Sequence, residues 1–257
     1  IGLMNVQYAV KGDTVYIGGE FSLVGEWKHR AGLAAIDLGT GAVKPWNPNP
    51  DGGICTALVA SGDRVFVSGD FSIIGGDPTP RRYFAALDTV NGEVTNWDPD
   101  ANSLASVLLL TGDTLYAGGY FTQVGGQPRD YLAAIDATTG EVLPWNPSAN
   151  SWVLALARSG NTIYAGGIFD RLGGEWRKGI AAVDATTGAV TPWTSDTDNN
   201  AVEALLVSGN TLYVGGGFGQ IGGQPRQSLA ALDLTTGIPT TWNPILTNWD
   251  VVTPRVR

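Results

Sequence analysis

Apolar and polar positions alternate along this chain in a pattern that occurs five times. The clearest copy, residues 132–147, reads LAAIDATTGEVLPWNP: an apolar run closed by aspartate, a glycine turn, and a short run closed by tryptophan. Such a pattern is typical of two strands joined by a tight turn. The repeated tryptophans are Trp46, Trp97, Trp145, Trp193 and Trp242, and the repeated aspartates are Asp37, Asp88, Asp136, Asp184 and Asp233. Successive tryptophans are 51, 48, 48 and 49 residues apart, a period that is typical of a propeller or a solenoid.

Each unit carries four strand signals, which we name strands A to D. In the last unit these strands are AVEALLVS, TLYVGG, SLAALD and IPTTW, and a short Gly-Asp or Gly-Asn turn joins strand A to strand B in every unit. Each sheet has apolar residues on both faces, so both faces have to be covered, which radial packing around an axis achieves. We therefore predict an all-β fold, a β-propeller of four-stranded antiparallel blades with five repeats of about 49 residues.

The repeat defines one domain over residues 1–257, because no linker interrupts it. The predicted blades cover about residues 1–46, 53–97, 103–145, 151–193 and 200–242. Residues 248–257 align with the start of strand A in the fourth unit and predict an extra C-terminal strand. Two arrangements follow: either five blades close the ring with the last strand beside it, or the chain is a segment of a larger ring. In both, each repeated tryptophan wedges between neighbouring blades and each repeated aspartate caps its turn.

Two sets of motifs resemble known repeat families. The string A-L-D-x-x-T-G-x-x-x-W resembles the tryptophan-docking motif of the quinoprotein-type, or PQQ-like, propellers. The fuller unit, with G-G-x-F, I-G-G-x-P-R and W-N-P, resembles the delta-60-type repeats of secreted bacterial propeller proteins. The resemblance covers almost the whole chain and implies a propeller fold and secretion, but it implies no particular activity.

Charge and composition restrict the partners. The net charge of −9 argues against nucleic acid and against an anionic membrane surface. No apolar run reaches the roughly 20 residues of a membrane span, so we expect no membrane insertion. The single Cys55 excludes an internal disulfide and a cysteine-based metal site. The chain begins at Ile1 without a signal peptide, which fits a leader already removed or a piece of a longer protein, and the composition favours a secreted or cell-surface protein.

The variable loops are the candidates for function. The B–C and D–A loops are expected on one face, and function on repeat scaffolds usually lies on the variable face. Two D–A loops begin like an oxygen-rich calcium loop, although neither has the glutamate that an EF-hand needs at position twelve. The candidate ligands are Asp98, Asp100 and Asn102, and Asp196, Asp198 and Asn200. The alternative is a set of hydrated Asx turns without metal, and we expect no other cofactor.

Two B–C loops carry tryptophans in addition to the docking set, Trp27 and Trp176. Exposed aromatic residues beside charge are typical of carbohydrate-binding and protein-binding surfaces, so these residues with Arg30 and Arg177 form the candidate ligand site. The alternative is that the tryptophans cover the flank of a blade. An arginine recurs three residues before strand C in every unit, which favours a structural role in bonding a loop carbonyl or carboxylate.

Catalysis is not expected. A single histidine, His29, leaves no triad, and the complete A strands carry only Glu203 where propeller glycosidases place paired carboxylates. Quinoprotein dehydrogenases, to which the docking motif is similar, use vicinal cysteines, which this chain lacks. The first hypothesis is therefore a non-catalytic binding or adhesion module for a glycan or a protein. The second is a structural subunit of a surface layer, stalk or filament, which joins copies of itself through the terminal strand. A hydrolase or an oxidoreductase is the third and weakest.

Overall fold

The repeated sequence folds into repeated antiparallel sheets. The computed structural model describes residues 4–25, 27–76, 80–198 and 202–244, and every regular element in these ranges is a β-strand. The predicted extra strand at residues 248–257 lies outside the described residues. The all-β, antiparallel, repeated architecture predicted from the sequence is confirmed.

Each repeat contains a first, a second and a third strand, and in four repeats the described residues also form a two-stranded hairpin between the second and the third. The first repeat consists of β1 (Met4–Lys11), β2 (Thr14–Glu20), the hairpin β3 (Leu23–Val24) and β4 (Lys28–His29), and β5 (Leu33–Asp37). The second consists of β6 (Ile54–Ser61), β7 (Arg64–Asp70) and β8 (Phe84–Asp88). The third consists of β9 (Ala105–Thr111), β10 (Thr114–Gly119), the hairpin β11 (Gln123–Val124) and β12 (Gln127–Pro128), and β13 (Leu132–Asp136).

The last two repeats follow the same plan. The fourth consists of β14 (Val153–Ser159), β15 (Thr162–Gly167), the hairpin β16 (Arg171–Leu172) and β17 (Glu175–Trp176), and β18 (Ile180–Asp184). The fifth consists of β19 (Val202–Ser208), β20 (Thr211–Gly216), the hairpin β21 (Gln220–Ile221) and β22 (Gln224–Pro225), and β23 (Leu229–Asp233). In every repeat the second strand is central, and the first and third strands pair with it from opposite sides.

The predicted fourth strand is much shorter than expected. In the third repeat it is a single bridge between Val142 and Ile135, followed by one bond from the amide of Leu143 to the carbonyl of Ala134, 2.8 Å long. The other repeats show the same single bridge. Within each repeat the sheet is therefore three-stranded with a one-residue fourth edge, instead of four-stranded, and a Glu20–Ile54 pair joins the first two repeats into one six-stranded sheet. In the third repeat the next residue, Pro144, has no N–H to donate, but Asn96 and Thr241 stand at this position in the second and fifth repeats, so proline alone does not account for the short edge.

The hydrophobic core lies between consecutive repeats. Four clusters of buried residues join the first repeat to the second, the second to the third, the third to the fourth, and the fourth to the fifth. Each cluster combines the tryptophan and strands of one repeat with the opposite sheet face of the next. Each internal sheet is thus covered on both faces, which is why its strands are apolar on both sides.

The repeated tryptophans carry this packing. The indole N–H groups of the first four donate to the backbone carbonyl of the repeated aspartate in the next repeat, and the rings of all five meet an aromatic residue of their own second strand edge-on. The N–H bonds are Trp46 to Asp88 (2.8 Å), Trp97 to Asp136 (2.9 Å), Trp145 to Asp184 (3.0 Å) and Trp193 to Asp233 (3.5 Å). The ring pairs are Tyr16–Trp46, Phe66–Trp97, Tyr116–Trp145, Tyr164–Trp193 and Tyr213–Trp242.

All five first strands contribute to the lining of one cavity of about 220 Å³, with Gln7 from the first and Glu203 from the fifth. The first strand of each repeat contacts the first strand of the next repeat. The first strands of all five repeats therefore lie around this one cavity.

Candidate functional site

The candidate loop surface is built by bonds between neighbouring repeats. The segment after each of the first four docking tryptophans is held against the chain that follows the second strand of the next repeat by one amide or carboxylate group. In the third-to-fourth junction, the side-chain oxygen of Asn150 accepts bonds from the amides of Asp170 (2.9 Å) and Arg171 (3.0 Å). Ala149 also forms an isolated bridge with Leu172. The loops and hairpins are thus fixed to each other, so that a side chain on a hairpin is presented on an ordered base.

The recurring arginines clamp each repeat to itself. One guanidinium nitrogen donates to the carbonyl of the preceding residue, and the other donates to the carbonyl fourteen residues later, at the edge where the fourth strand stops. The second set of bonds runs from Arg30 to Lys44 (2.9 Å), Arg81 to Thr95 (3.4 Å), Arg129 to Leu143 (2.8 Å), Arg177 to Thr191 (3.0 Å) and Arg226 to Thr240 (2.7 Å). This is the structural role that the sequence favoured for the set. Arg30 and Arg177, which were also predicted to bind ligand, make the same two bonds as the others.

Trp176 is the best-presented aromatic residue of the predicted site. It lies on β17 and pairs with Arg171 across the hairpin. The indole is 62% exposed, and the guanidinium carbon of Arg171 lies 4.1 Å from the centre of its ring. A guanidinium at this distance is attracted to the indole ring by a cation–π interaction. The resulting flat, charged platform can stack on a sugar ring or on a planar side chain.

Trp27 lies in the turn of its hairpin, whereas Trp176 lies in a strand. It lies in the turn between β3 and β4, with a φ of 61° in the left-handed region, and its side chain is 79% exposed. The residue at the position of Trp176 is His29, because His29 pairs with Leu23 as Trp176 pairs with Arg171. The two tryptophans that the sequence grouped together are thus not equivalent, and no contact joins them within the described ranges.

Sequence reasoning missed a second aromatic pair at the third-to-fourth junction. Trp152 is 44% exposed, and its ring meets that of Tyr120 edge-on with the centroids 4.8 Å apart. Trp152 follows Asn150, the residue that anchors the loop to the hairpin of Trp176. The signal was present, since Trp152 is a further tryptophan outside the docking set and Leu104 stands at its position in the previous repeat.

The predicted calcium ligands are held in backbone bonds. The carboxylate of Asp98 accepts from the amide of Asp100 (3.1 Å), and the amide oxygen of Asn102 accepts from the amides of Thr122 (2.9 Å) and Gln123 (3.1 Å). The backbone of Asp100 is in the left-handed region, with a φ of 49°. The Asp98–Asp100 bond is an Asx-turn contact of the kind that the sequence offered as the alternative to calcium, whereas the Asn102 bonds reach 20 and 21 residues along the chain.

The second predicted calcium loop is similar. Asp196 accepts from the amide of Lys178 (2.8 Å) and Asp198 from that of Gly219 (2.9 Å), whereas Asn200 lies outside the described residues. No group of three or more His, Cys, Asp or Glu side chains suited to a metal ion occurs in the described part of the chain. Calcium binding remains a prediction from the loop sequences.

The repeated aspartates act within their own turns. Asp136, for example, accepts from the amides of Thr138 (2.8 Å) and Thr139 (2.7 Å), and Asp37, Asp88, Asp184 and Asp233 accept from the equivalent pairs. The hydrogen bond from the Thr139 amide is the main cause that lowers the pKa of the Asp136 carboxyl below its usual value. These carboxylates are therefore occupied as turn caps, the role expected for them.

Two further reactive groups were weighed in the sequence. Glu203 is the one carboxylate among the described residues that line the central cavity, and it is exposed. The Cys55 thiol is 2% exposed, and burial raises its pKa to about 12. A neutral, buried thiol is a poor nucleophile.

No protein-family model and no curated protein matches the chain. Solved structures do match its fold. The computationally designed protein Ika8 is similar over 91% of this chain and 71% of that chain, with a TM-score of 0.56 and 18% identity. The extracellular domain of a one-component system from B. thetaiotaomicron is similar over 84% of this chain and 26% of that chain, with a TM-score of 0.56 and 15% identity. At these identities the likeness shows the fold alone. Within the described residues, no helix is long and apolar enough to cross a membrane.

Proposed function

We propose that the five repeats are blades of a β-propeller and that the chain is a non-catalytic binding module, which holds a glycan or a protein on the loop face at the junction of the third and fourth repeats. The observation that carries the proposal is the Trp176–Arg171 platform: an indole that is 62% exposed and carries a guanidinium 4.1 Å from its ring centre. Exposing an indole to water gives up the free energy of its burial. A partner that covers the ring recovers that free energy.

Three features support a site at this junction. Trp152 and Tyr120 place a second aromatic pair on the loop that Asn150 fastens to the hairpin of Trp176. Aromatic residues and arginine are the types that most often dominate binding surfaces. The Asn150 bonds hold the loop in place, which lowers the entropy lost when a ligand orders the surface. Arg177 supports the site from beneath through its bonds to the Trp176 and Thr191 carbonyls.

A radial arrangement of the repeats is supported by the central cavity, to which all five first strands contribute. An extracellular or cell-surface location is supported by the composition and by the likeness to a domain described as extracellular. The proposal includes calcium as a candidate ligand of these loops, because the loops that carry Asp98 and Asp196 offer carboxylates of the kind that coordinate a hard cation. Nucleic acid is disfavoured by the charge of −9.

The experiment is a glycan array and a peptide array probed with the purified protein, with calcium and again with a chelator. Two substitutions test the site with residues that the same fold already accepts. Trp176→Pro introduces the proline that the third and fifth hairpins have at this position, Pro128 and Pro225. Trp152→Leu introduces the leucine that the third repeat has at the equivalent position, Leu104. We expect each to weaken a specific hit by about tenfold or more, as truncated binding hot spots do. Val90→Ser, on an exposed turn outside the loop face, is the control and should leave the hit unchanged.

The outcomes are distinct. A hit lost with both loop variants supports the site, and the array that carries the hit decides between glycan and protein. If a hit disappears in the presence of the chelator, the result supports calcium binding by the loops. A blank on both arrays, or a hit unaffected by both variants, contradicts the proposed site. Turnover of a bound glycan that Glu203→Gln abolishes would contradict the non-catalytic part.

A further inference from the structure

The two ends of the repeat array carry opposite halves of one contact. Within the chain, the contact between neighbouring repeats is always formed in the same way. The docking tryptophan donates to the backbone carbonyl of the next repeated aspartate, and in three repeats a tyrosine hydroxyl donates to the carbonyl one residue further. The hydroxyl bonds are Tyr16 to Thr89 (2.8 Å), Tyr116 to Ala185 (2.8 Å) and Tyr164 to Leu234 (3.2 Å).

The fifth repeat carries the donor half without an acceptor. Tyr213 and Trp242 hold the same edge-on geometry as the internal pairs, with ring centroids 5.4 Å apart. Trp242 is 43% exposed, whereas Trp46, Trp97 and Trp145 are 2–4% exposed. Among the described residues, no carbonyl accepts from the indole of Trp242. Leu206 on the same side of the sheet is 63% exposed, whereas its equivalent in the fourth repeat, Ala157, is 7% exposed.

Within the part of the chain that the structure describes, the first repeat carries the acceptor half without a donor. Leu38 follows the repeated Asp37 and is 52% exposed, whereas its equivalents Ala137, Ala185 and Leu234 are 7–9% exposed. On the same side, Tyr8 is 71% and Val10 54% exposed. The matching residues of the fifth repeat, Leu205 and Val207, pack against the fourth repeat instead. The four buried clusters join consecutive repeats, and none of them joins the fifth repeat to the first.

We propose that a second copy of this chain covers these faces head to tail: Trp242 and Tyr213 of one copy dock on the Asp37–Leu38 end of another. The indole N–H would donate to the Asp37 carbonyl and the tyrosine hydroxyl to that of Leu38. Leu206 would pack against Tyr8 and Val10. The contact reproduces the one that the chain forms four times internally, so that its shape and its donors are already matched.

This contact differs from strand addition by residues 248–257, because it uses the faces of the described repeats. It also does not depend on the proposed loop-face binding. Since the two faces differ, the contact is heterologous, and copies added in this way form either an open filament or a closed ring, depending on whether the rotation closes.

The test blocks one end at a time. Leu38→Arg puts a charge into the acceptor end at an exposed position, and Trp242→Ala removes the donor. Trp242→Phe is a milder second variant that keeps a ring beside Tyr213 and loses the N–H. Val90→Arg, at a residue that is 85% exposed and outside both end faces, is the matched control for added charge. The measurement is sedimentation velocity over a wide range of protein concentration, with circular dichroism to show that every variant is folded.

We expect the wild-type chain and the Val90→Arg control to associate as the concentration rises. Leu38→Arg and Trp242→Ala should each weaken association by at least about tenfold, in the range of truncated hot spots. Mixed together, these two variants should form a one-to-one dimer that grows no further, because only one intact pair of ends remains. Such complementation is not expected of non-specific aggregation.

Three results would overturn the proposal. One is a wild-type chain that stays monomeric at all concentrations, which would mean that the faces are closed within one molecule or covered by other parts of the chain. Another is association that survives in both single-end variants and disappears when residues 248–257 are deleted, which would assign it to the terminal strand. The third is a mixture of the two blocked variants that remains monomeric.

Discussion

The docking tryptophans allow a matched comparison inside one chain, Trp145→Ala against Trp242→Ala. Both residues occupy the same place in the repeat and meet a tyrosine edge-on, Tyr116 and Tyr213. Trp145 is 4% exposed and donates to the carbonyl of Asp184 over 3.0 Å, whereas Trp242 is 43% exposed and has no acceptor among the described residues. The same substitution is thus made once at a buried tryptophan and once at a partly exposed one.

The expected cost follows from these contacts. Truncating a buried tryptophan to alanine costs about 3–5 kcal/mol, which includes the lost transfer free energy and the cavity left behind. Within that total, the lost hydrogen bond to the Asp184 carbonyl, which still accepts from the Gly188 amide (2.9 Å), accounts for about 0.5–1.5 kcal/mol, and the aromatic pair for about 0.5–1.5 kcal/mol. For Trp242→Ala the carbonyl contribution is absent and the cavity opens to solvent. We therefore expect less than half the loss in the free energy of unfolding.

The assay is urea unfolding followed by circular dichroism, at a protein concentration low enough that only monomer is present. The slope of the free energy against urea is compared as well, because a repeat array can lose cooperativity between two repeats when one interface is weakened. Trp145→Phe and Trp242→Phe keep an aromatic ring but remove the indole N–H, so they separate the contribution of the hydrogen bond from that of the ring. The first should cost about 1 kcal/mol more than the second, the net value of one hydrogen bond. Equal losses for the two alanine variants would refute the reasoning that burial and the carbonyl bond decide the cost.

Three further predictions concern the turns, the clamps and the thiol. The turn bonds lower the folded-state pKa of Asp136, so the ionised carboxylate stabilises the fold at neutral pH and this stabilisation is lost as the pH falls below about 4. Asp136→Asn keeps the acceptor oxygen but does not titrate, so its melting temperature should fall less steeply than that of the wild type between pH 7 and pH 2. An unchanged pH dependence of the melting temperature would contradict this prediction. Arg129→Ala should cost about 2–3 kcal/mol in urea unfolding, because it removes a buried guanidinium that donates to the Pro128 and Leu143 carbonyls, while Arg171→Ala, on an exposed side chain, should cost less than about 0.5 kcal/mol. Cys55 should not react with a thiol reagent until the chain unfolds, since it is buried and its pKa is raised to about 12; rapid reaction in the absence of denaturant would show that the first interface opens.

The candidate site was only partly predictable. Trp176 was found because it stands outside the repeat, and the same criterion applied to Trp152 would have found the second pair. Arg171 could not be found in this way, since its closeness to Trp176 depends on a hairpin of two-residue strands that leaves no periodic signal. Trp27 and Trp176, which the sequence grouped, do not occupy equivalent positions, because the first hairpin has a longer turn and Trp27 lies in that turn.

The features that the sequence determined by itself are those that depend on neighbours along the chain. The period, the strand alternation and the capping of the turn by Asp136 all involve residues within a few positions of each other, so the residue types alone specify them. The tertiary structure decided the rest. The indole of Trp145 reaches the carbonyl of Asp184, 39 residues further along the chain, and this bond depends on the distance between two sheets. The exposed ends at Trp242 and Leu38 arise in the same way: equivalent positions of the repeat are buried inside the array and exposed at its ends, because burial depends on what lies across the interface and not on the residue itself.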